Sequence, residues 1–326
     1  MSTRNNGVSG RIPVAVIFAP TATGKTALLY ELFSERGGRF FLNGRAEVIS
    51  ADSMQVYRGM DIGTAKPSGA VLSAVPHHLI DIVTPDIQFS VADFVDAADA
   101  LCAGIYGSGR MPVVAGGTGF YIKCFLSGLP DTPASSPETR AALRGRLETE
   151  GADVLYRELA AADPESAAAI HPNDTYRILR ALEIFLVSGR RRSSCGRAPA
   201  LRSDRYEFLF IVLEPSRELL SGRICGRVDG MFDAGLEDEV ASLVGAGFNA
   251  ESPGMKAIGY REWFMSSDRD EIRRLIKRDS VRYAKKQFTY IKDMPGSAVI
   301  PFDGMGEGTE RAAELLRKFY FSHFCY

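Results

Sequence analysis

Short apolar runs, rich in β-branched residues, recur along the chain, and each ends in a polar or glycine-containing loop. The first run, RIPVAVIF, passes through such a loop into KTALLYELF, where the apolar positions have helical spacing. Further runs of this kind are AEVISA, MPVVAGG and YEFLFIVL, and a short one, SAVIPF, precedes a terminal helical segment. Strands that alternate with helices in this way predict an α/β fold with an open parallel sheet flanked by helices.

A different pattern begins near Gly128. GLPDTPASSPETR is a cluster of Pro and Ser turn residues, and residues 139–187 are rich in Ala, Glu and Arg, with helical periodicity and no strand candidate. This pattern predicts an inserted small all-helical domain, which the basic stretch SGRRRSSCGRAPALRSDR closes before the next strand. The predicted bounds are 11–127 and 206–326 for the α/β core, 128–205 for the insertion and 1–10 for a loose tail.

Composition excludes some classes of protein. With 39 Lys and Arg against 40 Asp and Glu, the chain has no global basic field, so nucleic-acid binding would have to come from local patches. The five cysteines are scattered without a C-x-x-C pair, which argues against a zinc site or a disulfide framework and fits a reducing cytoplasm. The early apolar run is too short for a membrane span or a signal core. We therefore expect a cytoplasmic protein with no membrane partner.

The loop after the first strand, APTATGKT, has the form A-x-x-x-x-G-K-T. Backbone N–H groups of such a loop wrap an oligophosphate, while Lys25 neutralises its oxygens and the Thr26 hydroxyl holds Mg²⁺. Together with the strand before it and the helix after it, the loop predicts a P-loop NTPase-like fold. The predicted phosphate-binding residues are Ala19, Pro20, Thr21, Ala22, Thr23, Gly24, Lys25 and Thr26. Alanine is tolerable in the first position, where glycine is usual, because the backbone there need not adopt a conformation that only glycine allows.

Asp52 follows the second apolar run and should face the same crevice. An aspartate there could bind Mg²⁺ through water, accept a proton or simply start a turn, since Asp-Ser is common turn chemistry. The stretch that surrounds it, SADSMQVYRGMDIGTAKP, is long, polar and punctuated by glycine. Such a stretch is typical of a binding loop, although a plain surface connection has the same composition.

Eight segments carry a resemblance to a known family: APTATGKT, ISADSMQVYRGMDIGTAKP, HHLIDI, FSVADF, VVAGGTGFYIK, HPNDTYRILRALEIF, KAIGYRE and AKKQFTYIK. In this order they resemble the tRNA dimethylallyltransferases, also called tRNA isopentenyltransferases, from about residue 12 to residue 292. The resemblance implies transfer of the dimethylallyl group from dimethylallyl diphosphate to N6 of adenosine 37 in tRNA, with diphosphate as the second product. It also implies that the target base is flipped out of the anticodon loop.

The resemblance assigns roles to individual residues. Asp52 would be the general base and Thr118 would lie in the reaction channel, although an N-cap role after a glycine turn explains Thr118 equally well. Lys25, Thr26 and Arg227 would stabilise the departing diphosphate, with Mg²⁺ on Thr26. Arg223 and Arg227 stand four residues apart on one helix face, and we expect Arg227 rather than Arg223 to reach the diphosphate.

The predicted tRNA contacts form three groups. They are Asp52, Ser53, Met54, Gln55 and Thr118 at the flipped base; Arg140, Tyr176, Arg177 and Arg180 in the inserted domain; and Lys256, Gly259, Tyr260, Arg261, Lys285, Lys286, Gln287 and Lys292 in two later segments. Without the resemblance, Arg177 and Arg180 would be typical of a solvated basic face, and Phe288 and Ile291 of the core side of an amphipathic helix. The triple Arg190, Arg191 and Arg192 suits an RNA backbone or plain solubility.

Three other functions share parts of this pattern. They are a small-molecule or nucleotide kinase, an isopentenyltransferase acting on free adenine nucleotides, and a non-catalytic P-loop protein that binds RNA. The inserted domain and the basic-aromatic helix exceed what a nucleotide needs, and Asp52 together with Lys25 and Thr26 favours an enzyme. The expected partners are the anticodon stem-loop of tRNA and dimethylallyl diphosphate, with Mg²⁺ as cofactor and a monomer as the oligomeric state.

Overall fold

The computed structural model describes residues 10–35, 40, 42–196, 201–292 and 296–324, without the side chains of residues 291 and 292. The chain divides into two compact units, the first formed by Met1–Leu126 with Arg202–Tyr326 and the second by Ser127–Leu201. The second unit ends four residues before residue 205, the predicted end of the insertion. Arg202 and Arg205 belong to the first unit because both pair with the Asp99 carboxylate, at 2.5 and 2.8 Å.

A single parallel sheet lies at the centre of the first unit. Within the described residues its strands are β1 Ile12–Phe18, β2 Ala46–Ser50, β3 His77–His78, β4 Met111–Gly116, β5 Tyr206–Glu214 and β6 Ala298–Pro301. Their order is β3-β2-β4-β1-β5-β6, and all neighbouring pairs are parallel. The predicted open parallel sheet is therefore confirmed. The sequence did not reveal β3, since two histidines form no apolar run.

Helices cover the sheet and build the second unit. The α-helices before the helical unit are α1 Lys25–Phe33, α2 Gly69–Ala74, α3 Val91–Gly107 and α4 Gly119–Ser127, and the last residue of α4 already belongs to the second unit. The second unit contains α5 Pro137–Glu150, α6 Ala152–Ala162, α7 Pro164–Ala169 and α8 Thr175–Ser188. The chain then returns to the first unit with α9 Arg217–Asp233, α10 Leu236–Gly245, α11 Arg269–Lys292 and α12 Glu307–Phe324. Among the described residues, no helix has the length and apolarity needed to cross a membrane.

Two buried clusters matter for the position of the site. One packs α1 and α12 against the sheet, with Leu28, Ile17 and Leu316 inaccessible to solvent. The other packs α9, α10 and α11 against the segment that follows β2, and Tyr57 and Tyr260 lie within it. Because the carboxyl ends of β1, β2 and β4 meet at one edge of the sheet, the loops that follow these strands gather there.

The second unit has its own apolar core, which includes Leu143, Leu155 and Leu182. Its described residues are helical or irregular and include no strand. One carboxylate, that of Glu183 on α8, is almost fully buried at 1% exposure. It accepts hydrogen bonds from the Ser135 hydroxyl and the Ser136 N–H, and it pairs with two arginines described below. A buried carboxylate with this many donors stays charged without a large energetic penalty.

Candidate active site

The phosphate loop has a fixed shape. Ala22 and Gly24 adopt left-handed backbone conformations, with φ of 61° and 101°, and the Thr23 hydroxyl donates to the Pro20 carbonyl at 2.8 Å. Ala19 is not among the described residues with positive φ, which explains why glycine is not required there. Gly24 gives α1 no side-chain cap, so the first backbone N–H groups of this helix are available to an anion.

Two cations and one carboxylate share the pocket above this loop. Enclosure lowers the pKa of the Lys25 ammonium; the Asp52 carboxylate opposes this shift and the Arg227 guanidinium adds to it. Burial also lowers the pKa of Arg227, and Asp52 again opposes the shift. With two positive charges against one negative charge in a poorly hydrated space, the pocket attracts a polyanion.

The two arginines of α9 differ in what they contact. The Arg227 guanidinium donates to the Thr21 hydroxyl at 3.0 Å and so reaches the phosphate loop directly. The Arg223 guanidinium also lines the pocket but donates to the Asp303 carbonyl. This difference supports the expectation that Arg227 meets the phosphates.

Asp52 stands directly beyond the end of β2 and forms a turn with its own backbone. Its Oδ1 accepts hydrogen bonds from the N–H groups of Met54 and Gln55, at 2.9 and 3.3 Å. Within the described part of the chain, the other carboxylate oxygen has no hydrogen-bond partner. The turn role considered from the sequence is therefore real, and it leaves one oxygen of the carboxylate available to the pocket, which Asp52 lines.

Thr118 follows β4 and is hydrogen-bonded to the segment that follows β2. Its Oγ1 accepts the Ser53 N–H at 3.0 Å, and its hydroxyl donates to the Ser53 side chain at 3.3 Å. The side chain thus fixes the segment after Asp52. Thr118 also directly precedes α4, and its carbonyl accepts the Ile122 N–H at 3.2 Å, so the residue occupies the N-cap position of that helix as well. Thr118 therefore shapes the neighbourhood of Asp52 whether or not it contacts substrate.

Gln287 is a buried bridge at 3% exposure. Its Oε1 accepts the Thr21 N–H at 3.0 Å, and its Nε2 donates to the Gly117 carbonyl at 2.7 Å. Both ends of its amide are thus used inside the protein, although Gln287 also lines the pocket, and its contact with tRNA stays a prediction. Gln287 anchors the phosphate loop to α11.

Sequence reasoning missed Tyr283, which lines the pocket. The residue is 37% exposed, but desolvation of its hydroxyl among the surrounding side chains raises the pKa to about 12; the negative charge of Asp52 adds to the rise, while hydrogen bonds with Thr118 and Gln287 oppose it. The spacing of Tyr283 and Gln287, four residues apart on one helix, could have identified it once Gln287 was placed in the site.

Residues 63–68 and part of the KAIGYR segment also line the pocket. The side chains of Lys256 and Arg261 reach the surface, where they pair with Glu251 and Asp279 at 3.0 and 2.7 Å. Tyr260 is inaccessible to solvent at 0% exposure, and its contact with tRNA stays a prediction. Gly259 is likewise buried, with φ of 103°.

Other predicted tRNA-binding residues divide by what surrounds them. Tyr176 is 71% exposed, and Arg177 is exposed beside Asp174. Arg140 and Arg180 instead pair with the buried Glu183 carboxylate, at 3.1 and 2.9 Å. Lys285 and Lys286 are exposed on α11, and the side chain of Lys292 lies outside the described residues. Met54 is half-buried at the pocket, and Gln55 is buried, with its amide bonded to residues 64 and 65.

The donor set fits Mg²⁺ together with a phosphate ligand. The Thr26 hydroxyl and the Asp52 carboxylate both line the pocket, and oxygen donors of this kind suit Mg²⁺, which usually takes few protein ligands beside water and substrate phosphates. The described residues include no cluster of three or more His, Cys, Asp or Glu side chains that could hold a metal ion by itself. A cation here would therefore depend on the oxygens of the ligand.

Comparison with known proteins identifies the family. The family model described as IPP transferase matches residues 55–294. A tRNA dimethylallyltransferase of Geobacter sulfurreducens is 40% identical over 294 residues, which cover 89% of this chain and 92% of that protein. The crystal structure of the full-length tRNA isopentenylpyrophosphate transferase from Bacillus halodurans superposes with a TM-score of 0.66 at 34% identity, covering 96% of this chain and 98% of that one.

A eukaryotic dimethylallyltransferase acting on tRNA superposes with a TM-score of 0.77 at 25% identity, covering 95% of this chain and 80% of that chain. The predicted P-loop NTPase-like fold is thus confirmed, because these structural neighbours share it over nearly the whole length. Agreement in sequence and in fold gives one conclusion: the chain belongs to the IPP transferase family, the family of the tRNA dimethylallyltransferases.

Proposed function

We propose that this chain is a tRNA dimethylallyltransferase, which moves the dimethylallyl group of dimethylallyl diphosphate to N6 of adenosine 37 in tRNA and releases diphosphate. The observation that carries the proposal is a single pocket of about 730 Å³ that holds the phosphate loop, Arg227 and the free oxygen of Asp52. In this pocket, the positive charges can bind the leaving diphosphate, and Asp52 can accept the proton that the nucleophile loses.

The phosphate loop and Arg227 bind the diphosphate. Negative charge grows on the diphosphate as the allylic C–O bond breaks, and Lys25, Arg227 and the first N–H groups of α1 are aimed at that charge in a poorly hydrated space. Mg²⁺, held by the Thr26 hydroxyl and diphosphate oxygens, would neutralise further charge on the leaving group. Electrostatic stabilisation of the departing diphosphate is the largest catalytic contribution we expect.

Asp52 is the general base for the nucleophile, the exocyclic amine of adenine. The exocyclic amine of adenine is weakly nucleophilic because its lone pair is delocalised into the ring, and its proton becomes acidic as the new C–N bond forms. The free carboxylate oxygen of Asp52 accepts that proton. The step balances: the C–N bond forms, the C–O bond breaks, its electron pair leaves with the diphosphate and the proton passes to Asp52.

The tRNA must present an unstacked base, since N6 of an adenosine that is stacked in the RNA cannot enter a pocket. Flipping a nucleotide costs on the order of a few kcal/mol, which contacts in the pocket and along the backbone offset. The exposed Tyr176 and Arg177 in the helical unit and the exposed Lys285 and Lys286 on α11 have the aromatic and basic character that unpaired RNA attracts. We assign them to the anticodon stem-loop.

The experiment is nucleoside mass spectrometry of an unmodified tRNA after incubation with the protein, dimethylallyl diphosphate and Mg²⁺. We expect the mass of adenosine 37 to increase by one dimethylallyl group without any ATP. The same tRNA with guanosine at position 37 is the control and should remain unmodified. Faster transfer to AMP than to tRNA would instead indicate an enzyme of free nucleotides, and phosphorylation of an acceptor by ATP would indicate a kinase.

A further inference from the structure

One carboxylate holds the turn that begins the Gly-Thr-Ala-Lys-Pro segment. Glu239, on α10, accepts hydrogen bonds from the backbone N–H groups of Asp61, Ile62 and Gly63, at 2.9, 2.8 and 3.2 Å. The Tyr260 hydroxyl donates to the same carboxylate at 2.6 Å. Two carboxylate oxygens that serve four donors have little capacity left for solvent, so the turn and the helix are tied as one piece. We call these contacts the Glu239 clamp.

Tyr260 contacts both Glu239 and the turn. Its hydroxyl oxygen also accepts the Gly63 N–H, at 3.1 Å. A Cβ atom at Gly63 would lie 2.5 Å from the Tyr260 ring, so only glycine fits between the turn and the ring. Since Tyr260 belongs to the same buried cluster as Leu236 and Val240 of α10, the clamp rests on close-packed core rather than on mobile surface.

The clamped turn leads directly into the pocket wall. Residues 63–68 line the pocket, and the Gln55 amide donates to the carbonyls of Thr64 and Ala65, both at 3.3 Å. The Lys66 ammonium donates to the Tyr57 carbonyl at 2.5 Å and to Asp61 at 2.7 Å, which commits its charge inside the protein. Residues 63–68 therefore present a backbone wall whose position depends on the clamp.

We place the acceptor, rather than the diphosphate, beside this wall. Gln55, which holds it, ends the segment that Asp52 begins, where the acceptor amine loses its proton. The phosphate loop has separate anchors: Gln287 holds Thr21, and the Ala19 N–H donates to the Gly116 carbonyl at 3.2 Å. A change in the clamp should therefore move one wall of the pocket and leave the other in place.

We propose that Glu239 is a positioning residue for the tRNA acceptor, acting through Tyr260 and the turn at residues 61–63 on the wall at residues 63–68. The inference rests on the proposed transfer to tRNA and adds to it a residue that touches neither substrate. It assigns the clamp an effect on the affinity for the acceptor that is separate from the affinity for dimethylallyl diphosphate.

The test variant is Glu239→Gln, because its amide puts an NH₂ group against backbone donors and leaves N–H groups of the turn without their acceptor. We expect the KM for tRNA to rise about 10-fold while the KM for dimethylallyl diphosphate changes less than about 2-fold. Glu237→Gln is the matched control on the same helix. Glu237 is exposed and pairs at the surface with Arg269 at 3.0 Å, so both KM values should stay at the wild-type level.

A change in kcat alone, with both KM values unchanged, would overturn the inference. That result is expected if Glu239 only stabilises the fold, because a smaller fraction of correctly folded enzyme lowers the apparent kcat and leaves KM as it was. An equal rise in both KM values would overturn it too. Tyr260→Phe keeps the ring and removes the hydroxyl, and we expect about a 3-fold rise in the KM for tRNA from the lost bonds. An unchanged KM in that variant would contradict the inference even where Glu239→Gln folds poorly.

Amide hydrogen exchange supplies a readout that does not depend on catalysis. In Glu239→Gln, the amides of residues 61–63 should exchange faster than in the wild type, and those of residues 19–24 should not change. Unchanged protection at residues 61–63 would overturn the clamp itself. Failure of the proposed function is recognised separately, because the wild-type protein would then transfer no dimethylallyl group to tRNA.

Discussion

Asp52 orients its own carboxylate. One oxygen accepts two backbone N–H groups of the turn that it begins, at 2.9 and 3.3 Å, which fixes the side-chain torsion and directs the other oxygen. Because the carboxylate is already ordered, it loses little further conformational entropy when the substrate binds. The same side chain is therefore a turn residue and the proposed general base.

Asp52→Asn separates these two roles. The amide oxygen of asparagine can still accept the N–H of Met54, so the turn is kept while the proton acceptor is lost. We expect kcat to fall about 100-fold or more, with tRNA affinity within about 2-fold of the wild type. Single-turnover rates and filter binding measure the two quantities. A variant with the wild-type rate would refute the assignment of Asp52 as the base.

Arg227 and Arg223 form a matched pair for a second prediction. Arg227→Ala removes a guanidinium that contacts the phosphate loop, and we expect kcat/KM for dimethylallyl diphosphate to fall about 100-fold, as for other groups aimed at developing negative charge. Arg223→Ala should cost less than about 5-fold, since Arg223 is bonded to the Asp303 carbonyl. Equal losses in steady-state kinetics would contradict this ranking.

The lowered pKa of Lys25 predicts a pH effect. Its ammonium binds diphosphate only while it is protonated, so kcat/KM for dimethylallyl diphosphate should decrease as pH rises through this pKa, which lies below the ordinary lysine value. In Lys25→Arg the guanidinium remains charged, so the descending limb of the pH profile should move to higher pH. An unchanged limb would show that another group titrates there.

At the scale of helices and loops, the sequence predicted elements better than it predicted how their side chains are used. The strand runs, the phosphate loop and the helical insertion all follow from apolar spacing and turn residues. The functions of Arg180, Gln287 and Tyr260 do not, because each is bonded to a group that no local pattern connects with it. Tyr260 is 21 residues from Glu239 along the chain, and Gln287 is 266 residues from Thr21.

Helix α8 supplies a prediction at this scale because two of its arginines differ in their surroundings. Arg177→Ala should weaken tRNA binding and reduce the slope of log affinity against log salt by about 1, as expected for one lost phosphate contact. Its thermal stability should not change. Titrations at several salt concentrations measure the slope, and an unchanged slope would exclude a backbone contact.

The matched variant is Arg180→Ala on the same helix. It should lower the free energy of unfolding by about 1–3 kcal/mol, because it removes one donor from a buried carboxylate that keeps Arg140, Ser135 and Ser136. Urea unfolding measures this loss. A variant as stable as the wild type would show that the remaining donors are sufficient.

At the scale of the whole molecule, the predicted insertion covers residues 128–205, whereas the compact helical unit covers Ser127–Leu201. The difference at its end arises from Asp99, a buried carboxylate on α3 that binds Arg202, Arg205 and the Tyr206 hydroxyl. A contact over more than 100 residues of sequence decides that boundary, and composition cannot show it. SGRRRSSCGRAPALRSDR carries arginines along its whole length, yet its last arginines belong to a different unit from its first.

Asp99→Asn tests this point. The substitution leaves two guanidinium groups beside a neutral amide, and we expect it to lower the free energy of unfolding by about 3 kcal/mol, within the range for breaking a buried ion pair. Asp204→Asn changes an exposed carboxylate nearby and should alter stability by less than about 0.5 kcal/mol. Equal stability of the two variants would show that Asp99 is not needed to hold the returning chain.

The two residues of the α/β unit that flank the helical unit are hydrogen-bonded to each other. The Arg202 N–H donates to the Leu126 carbonyl at 2.8 Å, so the α/β unit closes across the place from which residues 127–201 depart. A segment that leaves and returns at neighbouring residues adds little strain when its length changes. Residues 127–201 could therefore be lengthened or shortened without altering the register of β5, the strand that follows.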